Sequence, residues 1–136
     1  MTTYFSQARA YRESAVLGRT REQLVPLLYE HLLVQLVRGA QQIRTGDFEG
    51  KADALSRASD ILFEMLESLD FEAGGEVASR LSTLYGYFLR EVELAGRSMD
   101  AAPLDRLVRM VEVLHAAWSQ AAGEVAAGRD LQATGR

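Results

Sequence analysis

Glu112 and His115 stand three residues apart in the run Glu112-Val-Leu-His115. On a helix, Glu-x-x-His is half of the ligand set of carboxylate-bridged metal bundles. Such a centre needs the half-motif twice, plus a carboxylate from each of the other two helices. The second histidine, His31, has Leu28 three residues before it, so the other half is missing. No metal is expected, and both histidines read as surface or boundary residues. The chain has no cysteine, which removes disulfides, thiolate metal sites and a cysteine nucleophile. There is no Gly-x-Ser-x-Gly elbow and no phosphate-cradling glycine loop, and the adjacent Gly74 and Gly75 read as helix punctuation. No catalytic residue and no cofactor is expected, and the chain does not read as an enzyme.

The residues that remain informative are apolar. Of 136 residues, 48% are hydrophobic and 25% charged, a composition that folds into one globular domain. The formal charge is −4 and the basic residues are scattered, so no nucleic-acid footprint appears. No run approaches the ~18 apolar residues that a spanning helix needs, so no membrane insertion is expected. The start, MTTYFSQARA, lacks the basic-then-apolar pattern of a signal peptide, and a cytoplasmic location is expected.

Helical periodicity predicts an all-α chain: an antiparallel up-down bundle of four long helices behind a short N-terminal helical arm. The arm covers residues 1–19, the bundle 20–127 and a flexible tail 128–136. The first helix runs from about Arg21 to Thr45, with Thr20 and Gln23 at capping-box spacing and Gly46 at the left-handed C-terminal position. Pro26 lies beyond its first turn, where a bend or a later start is expected. The second helix starts behind Asp47 and runs to about Asp70. The third follows Gly74-Gly75 and ends near Arg97. The fourth is capped by Asp100, carries Pro103 in its first turn and ends near Ala127. Core stripes follow: Leu55, Ala58, Leu62, Met65, Leu66 and Leu69 on the second helix; Val77, Leu81, Leu84, Phe88, Val92 and Ala95 on the third; Leu104, Leu107, Val108, Val111, Leu114, Trp118 and Ala121 on the fourth.

The first helix carries more apolar surface than a core requires. At roughly 100° per residue, Val25, Leu28, Leu32, Leu36 and Ile43 share one face. Leu27, Leu33, Val34 and Val37 fall on the other side. Ile61 and Phe63 flank the core stripe of the second helix. A helix apolar nearly all round is covered on both sides, either by neighbouring helices or by a partner. Leu27, Leu33, Val34, Val37, Ile61 and Phe63 are therefore the candidate partner-binding residues. In the arm, Tyr4, Ala8, Tyr11 and Ala15 recur at helical spacing with Phe5 beside Tyr4. Tyr4, Phe5 and Tyr11 suit either a displaceable cover or a short docked helix.

The ordered set of motifs resembles the flagellar secretion chaperone FliS family. An N-terminal tyrosine, a valine and a threonine are Tyr11, Val16 and Thr20. Leu27-Leu28-Tyr29-Glu30, Gly46-Asp47 and Lys51 come next. Ala58, Ile61 and Leu69-Asp70 precede Gly74-Gly75-Glu76. Leu81, Leu84-Tyr85 and Tyr87 follow, and Trp118 stands near the end. The family's serine–proline after the threonine reads Arg21-Glu22 here, and its alanine–asparagine reads Ala95-Gly96.

The resemblance implies an antiparallel bundle that holds the disordered C-terminal segment of flagellin in the cytoplasm. It would prevent premature polymerisation and deliver flagellin to the flagellar type III export apparatus, whose gate components are further expected partners. In the family the segment wraps the bundle in apolar grooves, and the N-terminal arm occupies part of the site when it is empty. The competing reading is a structural or regulatory bundle that forms a homodimer through the same patch. Tyr29 and Tyr85 fit either bundle interior or groove rim.

Overall fold

The computed structural model describes residues 21–134, with side chains masked at 21–23, 125, 126 and 129–134. It contains α1 (Arg21–Thr45), α2 (Phe48–Glu67), α3 (Phe71–Ser98) and α4 (Ala102–Thr134). The expected arm, with Tyr4, Phe5 and Tyr11, lies outside the described residues, as does Thr20. The four helices run antiparallel. Each sequential pair packs together and α4 closes back onto α1, so α1 and α3 face each other across the diagonal. The closest packing joins α1 to α2 and α4, and α3 is held more loosely.

The hairpin between α1 and α2 follows from two residues. Gly46 takes φ +75, and the bonds Gly46 N–H to Ile43 O (3.1 Å) and Asp47 N–H to Gln42 O (2.9 Å) close a Schellman motif. Asp47 then caps α2, its carboxylate accepting the Gly50 N–H at 2.9 Å. Pro26 sits inside α1 without ending it, because its missing N–H falls in the second turn and forfeits one bond near a helix end.

The third helix departs from expectation at its start and ends at Ser98, within a residue of the expected Arg97. It begins at Phe71, ahead of the paired glycines, because Asp70 accepts the N–H groups of Glu72 (3.1 Å) and Ala73 (3.0 Å). Gly75, at φ +50 and ψ −121, breaks the helix from within rather than before it. The left-handed residue at the far end is Met99 (φ +52), a side chain that costs about 1–2 kcal/mol there. Gly96 stays helical. The fourth helix runs to Thr134 rather than Ala127, so residues expected in a tail continue it. Among the described residues, no helix is long and apolar enough to cross a membrane.

The core is built from all four helices. Leu32 and Leu36 of α1, Ile61 and Leu62 of α2, Phe88 of α3 and Leu104, Leu107 and Val111 of α4 are almost wholly buried. Ile61 corrects an expectation. It is 0% exposed, because α2 buries a second stripe, Ala54, Ala58, Ile61 and Met65, against its neighbours. Helix α2 has two helical partners, so its apolar arc must be wider than one stripe. Leu55 is clamped near the Gly46 hairpin. A Cβ on Gly39 would lie 2.6 Å from its Cδ2, and one on Gly96 3.3 Å from its Cδ1. Two glycines on two helices thus make the hole that this side chain fills. Lys51 spans the same corner, donating from Nζ to Gly96 O at 2.9 Å, and Arg44 pairs with Asp105 between α1 and α4.

Candidate functional site

The opposite end of the bundle is open. There α1 begins, α2 ends and α3 starts through its Gly75 break, with Trp118 of α4 alongside. Val25, Leu28, Met65, Leu69, Val77, Ala78, Leu81, Tyr85 and Trp118 line an apolar pocket of about 250 Å³, with Ser68 and Asp70 at its edge. That is below the roughly 300–1,000 Å³ of small-molecule sites and suits a bulky apolar side chain from a partner segment. Val77, expected in the α3 core, is 62% exposed at this pocket. Among the described residues, the break at Gly75 and the loose packing of α3 leave its first turns without an apolar cover.

One wall of the pocket is polar beneath its surface. The hydroxyls of Tyr29 and Tyr85 hydrogen-bond to each other across the diagonal, their rings edge-on with centroids 6.4 Å apart. Burial pushes the Tyr29 hydroxyl up, the neighbouring Tyr85 adds to this, and Trp118 opposes it in part. Burial also raises Tyr85, opposed by its bond to Tyr29. Both hydroxyls therefore stay neutral and act as a hydrogen-bonded pair. Tyr29 and Tyr85 are bundle interior, and Tyr85 also backs the pocket.

The other sequence candidates fall into separate places. Val34 (55% exposed) and Val37 (45%) form a bare apolar strip on α1. Val37 also lines a groove with Val108 and Arg109 of α4. Leu33 is half-buried against the core, and Leu27 is half-buried. Phe63, 54% exposed, lies on α2. It is four and seven residues beyond Ser59 and Ser56, which line a shallow groove facing α3. One helical face follows from that spacing, so Phe63 points away from the α1 strip. The structure therefore does not bring the six expected residues into one patch. It also exposes Phe48, Phe71, Leu94, Met110 and Val113, which the sequence reading left out.

Chemistry beyond binding has little to work with. His115 Nε2 lies 3.2 Å from Glu30 Oε1, an exposed pair linking α1 and α4. Glu112 is exposed and does not join it. Among the described residues, no three His, Cys, Asp or Glu side chains gather as metal ligands.

The described residues thus form an antiparallel four-helix bundle, tightly packed at one end and with an apolar pocket at the other, and the comparisons give its family. The model of the family "Flagellar protein FliS" matches residues 4–125. The flagellar secretion chaperone FliS of Salmonella typhimurium is 35% identical over 79% of this chain and 81% of its own length. The Escherichia coli K12 protein of that name is 30% identical over 79% and 80%, and that of Campylobacter jejuni 29% over 82% and 87%. The chain belongs to the FliS family of flagellar secretion chaperones, which is not an enzyme family.

Proposed function

We propose that this chain is a cytoplasmic chaperone for flagellin. It binds the disordered C-terminal segment of flagellin, prevents premature polymerisation and delivers it to the flagellar type III export apparatus, meeting gate components there. The family membership supports this reading, and the open apolar pocket carries it. The segment lays helical pieces into apolar grooves. Burial at roughly 25 cal/mol per Å² drives binding, and ordering the segment costs about 2–5 kcal/mol or more. A wrapped area larger than one pocket is therefore required. The strip at Val34 and Val37, with half-buried Leu27 and Leu33, and Phe63 on α2 extend it, while Ile61 acts only from beneath. Tyr4, Phe5 and Tyr11 form a displaceable cover.

Calorimetric titration with the C-terminal segment of flagellin from the same organism tests this. One-to-one binding with Kd below about 1 μM (near −8 kcal/mol) and a negative heat-capacity change is expected. Its affinity should change little with salt, because the driver is apolar. A folded Val34→Asp, Val37→Asp variant should bind more weakly, and full binding by that variant would remove the α1 strip from the site. Absence of binding by the unaltered chain would overturn the proposal. The exposed pair Val34 and Val37 also suits a homodimer, which molecular mass measured against concentration without flagellin would reveal.

A further inference from the structure

The buried tyrosine pair holds one proton more than it has acceptors. Each hydroxyl brings one proton and two lone pairs. Tyr29 and Tyr85 share a single hydrogen bond, and neither meets another acceptor among the described residues. Trp118, whose indole N–H can only donate, gives it to the Tyr29 oxygen. The shared bond has two arrangements. If Tyr85 donates, the leftover proton sits on Tyr29, which is 0% exposed and does not line the pocket. If Tyr29 donates, it sits on Tyr85, which is 2% exposed and does line the pocket. A donor sealed away from every acceptor carries its full desolvation penalty. The second arrangement avoids that, because a guest in the pocket can accept. The apolar pocket therefore has one hydrogen-bond donor in its wall.

That donor lies deep. Lys51, reaching Gly96 O, fixes the register of α2 against α3. Counting antiparallel from it sets Ser68 level with Ser79 and Asp70 level with Val77, about 9 and 12 Å short of Tyr85 along α3. The polar residues at the pocket's edge thus cannot reach an atom bonded to Tyr85. Leu28, Met65, Leu81 and Trp118 offer no strong acceptor. A guest atom there can accept a hydrogen bond but finds nothing to donate to. Asn and Gln would strand two donors, and Ser and Thr one. A carboxylate would bury an unpaired charge. Methionine is the side chain with an acceptor, no donor and no charge. Its sulfur also gains from contact with aromatic rings, which Tyr85 and Trp118 supply.

We propose that the deep end of the pocket seats a methionine side chain of the guest segment, its sulfur accepting the Tyr85 hydroxyl proton and lying against Trp118. This rests on the reading of the pocket as a seat for flagellin, and it makes Tyr85 a residue that selects the guest as well as one that fills the bundle. The selection is for an acceptor and not for size. A hydrocarbon side chain of the same length leaves the Tyr85 hydroxyl unpaired, and a thioether does not. Norleucine, with a methylene where methionine has sulfur, is therefore the guest that separates the two.

The flagellin C-terminal segment from the same organism, made with norleucine in place of each methionine in turn, tests this by calorimetric titration against the full chain. One replacement should weaken binding about 3–10-fold. Against Tyr85→Phe most of that penalty should vanish. Against Tyr29→Phe, which breaks the same hydroxyl pair but keeps the Tyr85 donor, it should remain. Tight binding by a segment with no methionine, norleucine segments that bind like the parent, or a penalty undiminished in Tyr85→Phe would overturn the proposal. Should the tyrosine variants fail to fold, small probes decide on the unaltered chain. Thioanisole should shift the indole N–H NMR signal of Trp118, the single tryptophan, at lower concentration than ethylbenzene does, and equal responses would overturn the proposal. A preference for thioanisole in a chain that does not bind the segment would sink the chaperone reading and leave this one. Segment binding indifferent to norleucine would do the reverse.

Discussion

The two ends of this bundle are built to different standards. At the Gly46 end, Leu55 fills the space left by Gly39 and Gly96, Lys51 ties α2 to the last carbonyls of α3, and Arg44 pairs with Asp105. At the Gly75 end, α3 is interrupted and Val77 and Phe71 stand exposed beside an unfilled apolar pocket. The difference teaches where the described residues pack closely and where they leave apolar surface uncovered. Close packing leaves no room for a guest, and an open apolar wall adds little to folding.

Core truncation breaks the comparison most directly. Leu55→Ala should cost about 2–5 kcal/mol in denaturant unfolding, whereas Val77→Ala should stay within about 0.5 kcal/mol. Equal losses would mean the ends are not distinct. The tyrosine pair gives the next effect. Tyr29→Phe or Tyr85→Phe alone leaves a buried hydroxyl unpaired and should cost about 1–3 kcal/mol. The double variant should cost less than the sum of the two, and additive losses would show that the hydroxyls do not serve each other.

Gly46→Ala and Gly75→Ala sharpen the contrast, since both glycines have positive φ and open space around them. At Gly46 the strain should cost about 1 kcal/mol and leave flagellin-segment affinity unchanged. At Gly75 the first turns of α3 should re-form as ordinary helix, reshaping the pocket and lowering affinity in the calorimeter with a smaller stability loss. Hydrogen exchange should show the smallest effect, a gradient along α3, with amides near Val77 exchanging faster than those near Val92.

The closed end was largely legible in the sequence. Gly46 followed by Asp47 can be read locally, because a left-handed cap and an N-cap each need a particular residue type. The end of α3 near Arg97 was legible too, but not the residue that closes it, because methionine holds the left-handed position while Gly96 is demanded by Leu55, a residue of another helix. Asp70 and the paired glycines offered two rival starts for α3, and only the structure shows the cap and the break used together. The pocket was hidden for a different reason. Val77 and Leu81 keep the same period as true core residues, and exposure at a bundle end does not alter a helical stripe. Ile61 shows the converse, a residue at the stripe's edge that a second helical neighbour buries. The exposed strip at Val34 and Val37 was legible, because four apolar residues opposite a full core stripe exceed what one side of a helix can bury.

The pocket's position at the mouth, beyond the last full turn of α2, also sets its mechanics. A segment seated there and pulled along the bundle axis, away from the hairpin, loads its contacts one after another and peels. The same contacts midway along a groove would be sheared together and would yield at a higher force. The Gly46 hairpin, at the far end, stays out of the line of load, so a segment seated as proposed would come away without unfolding the bundle.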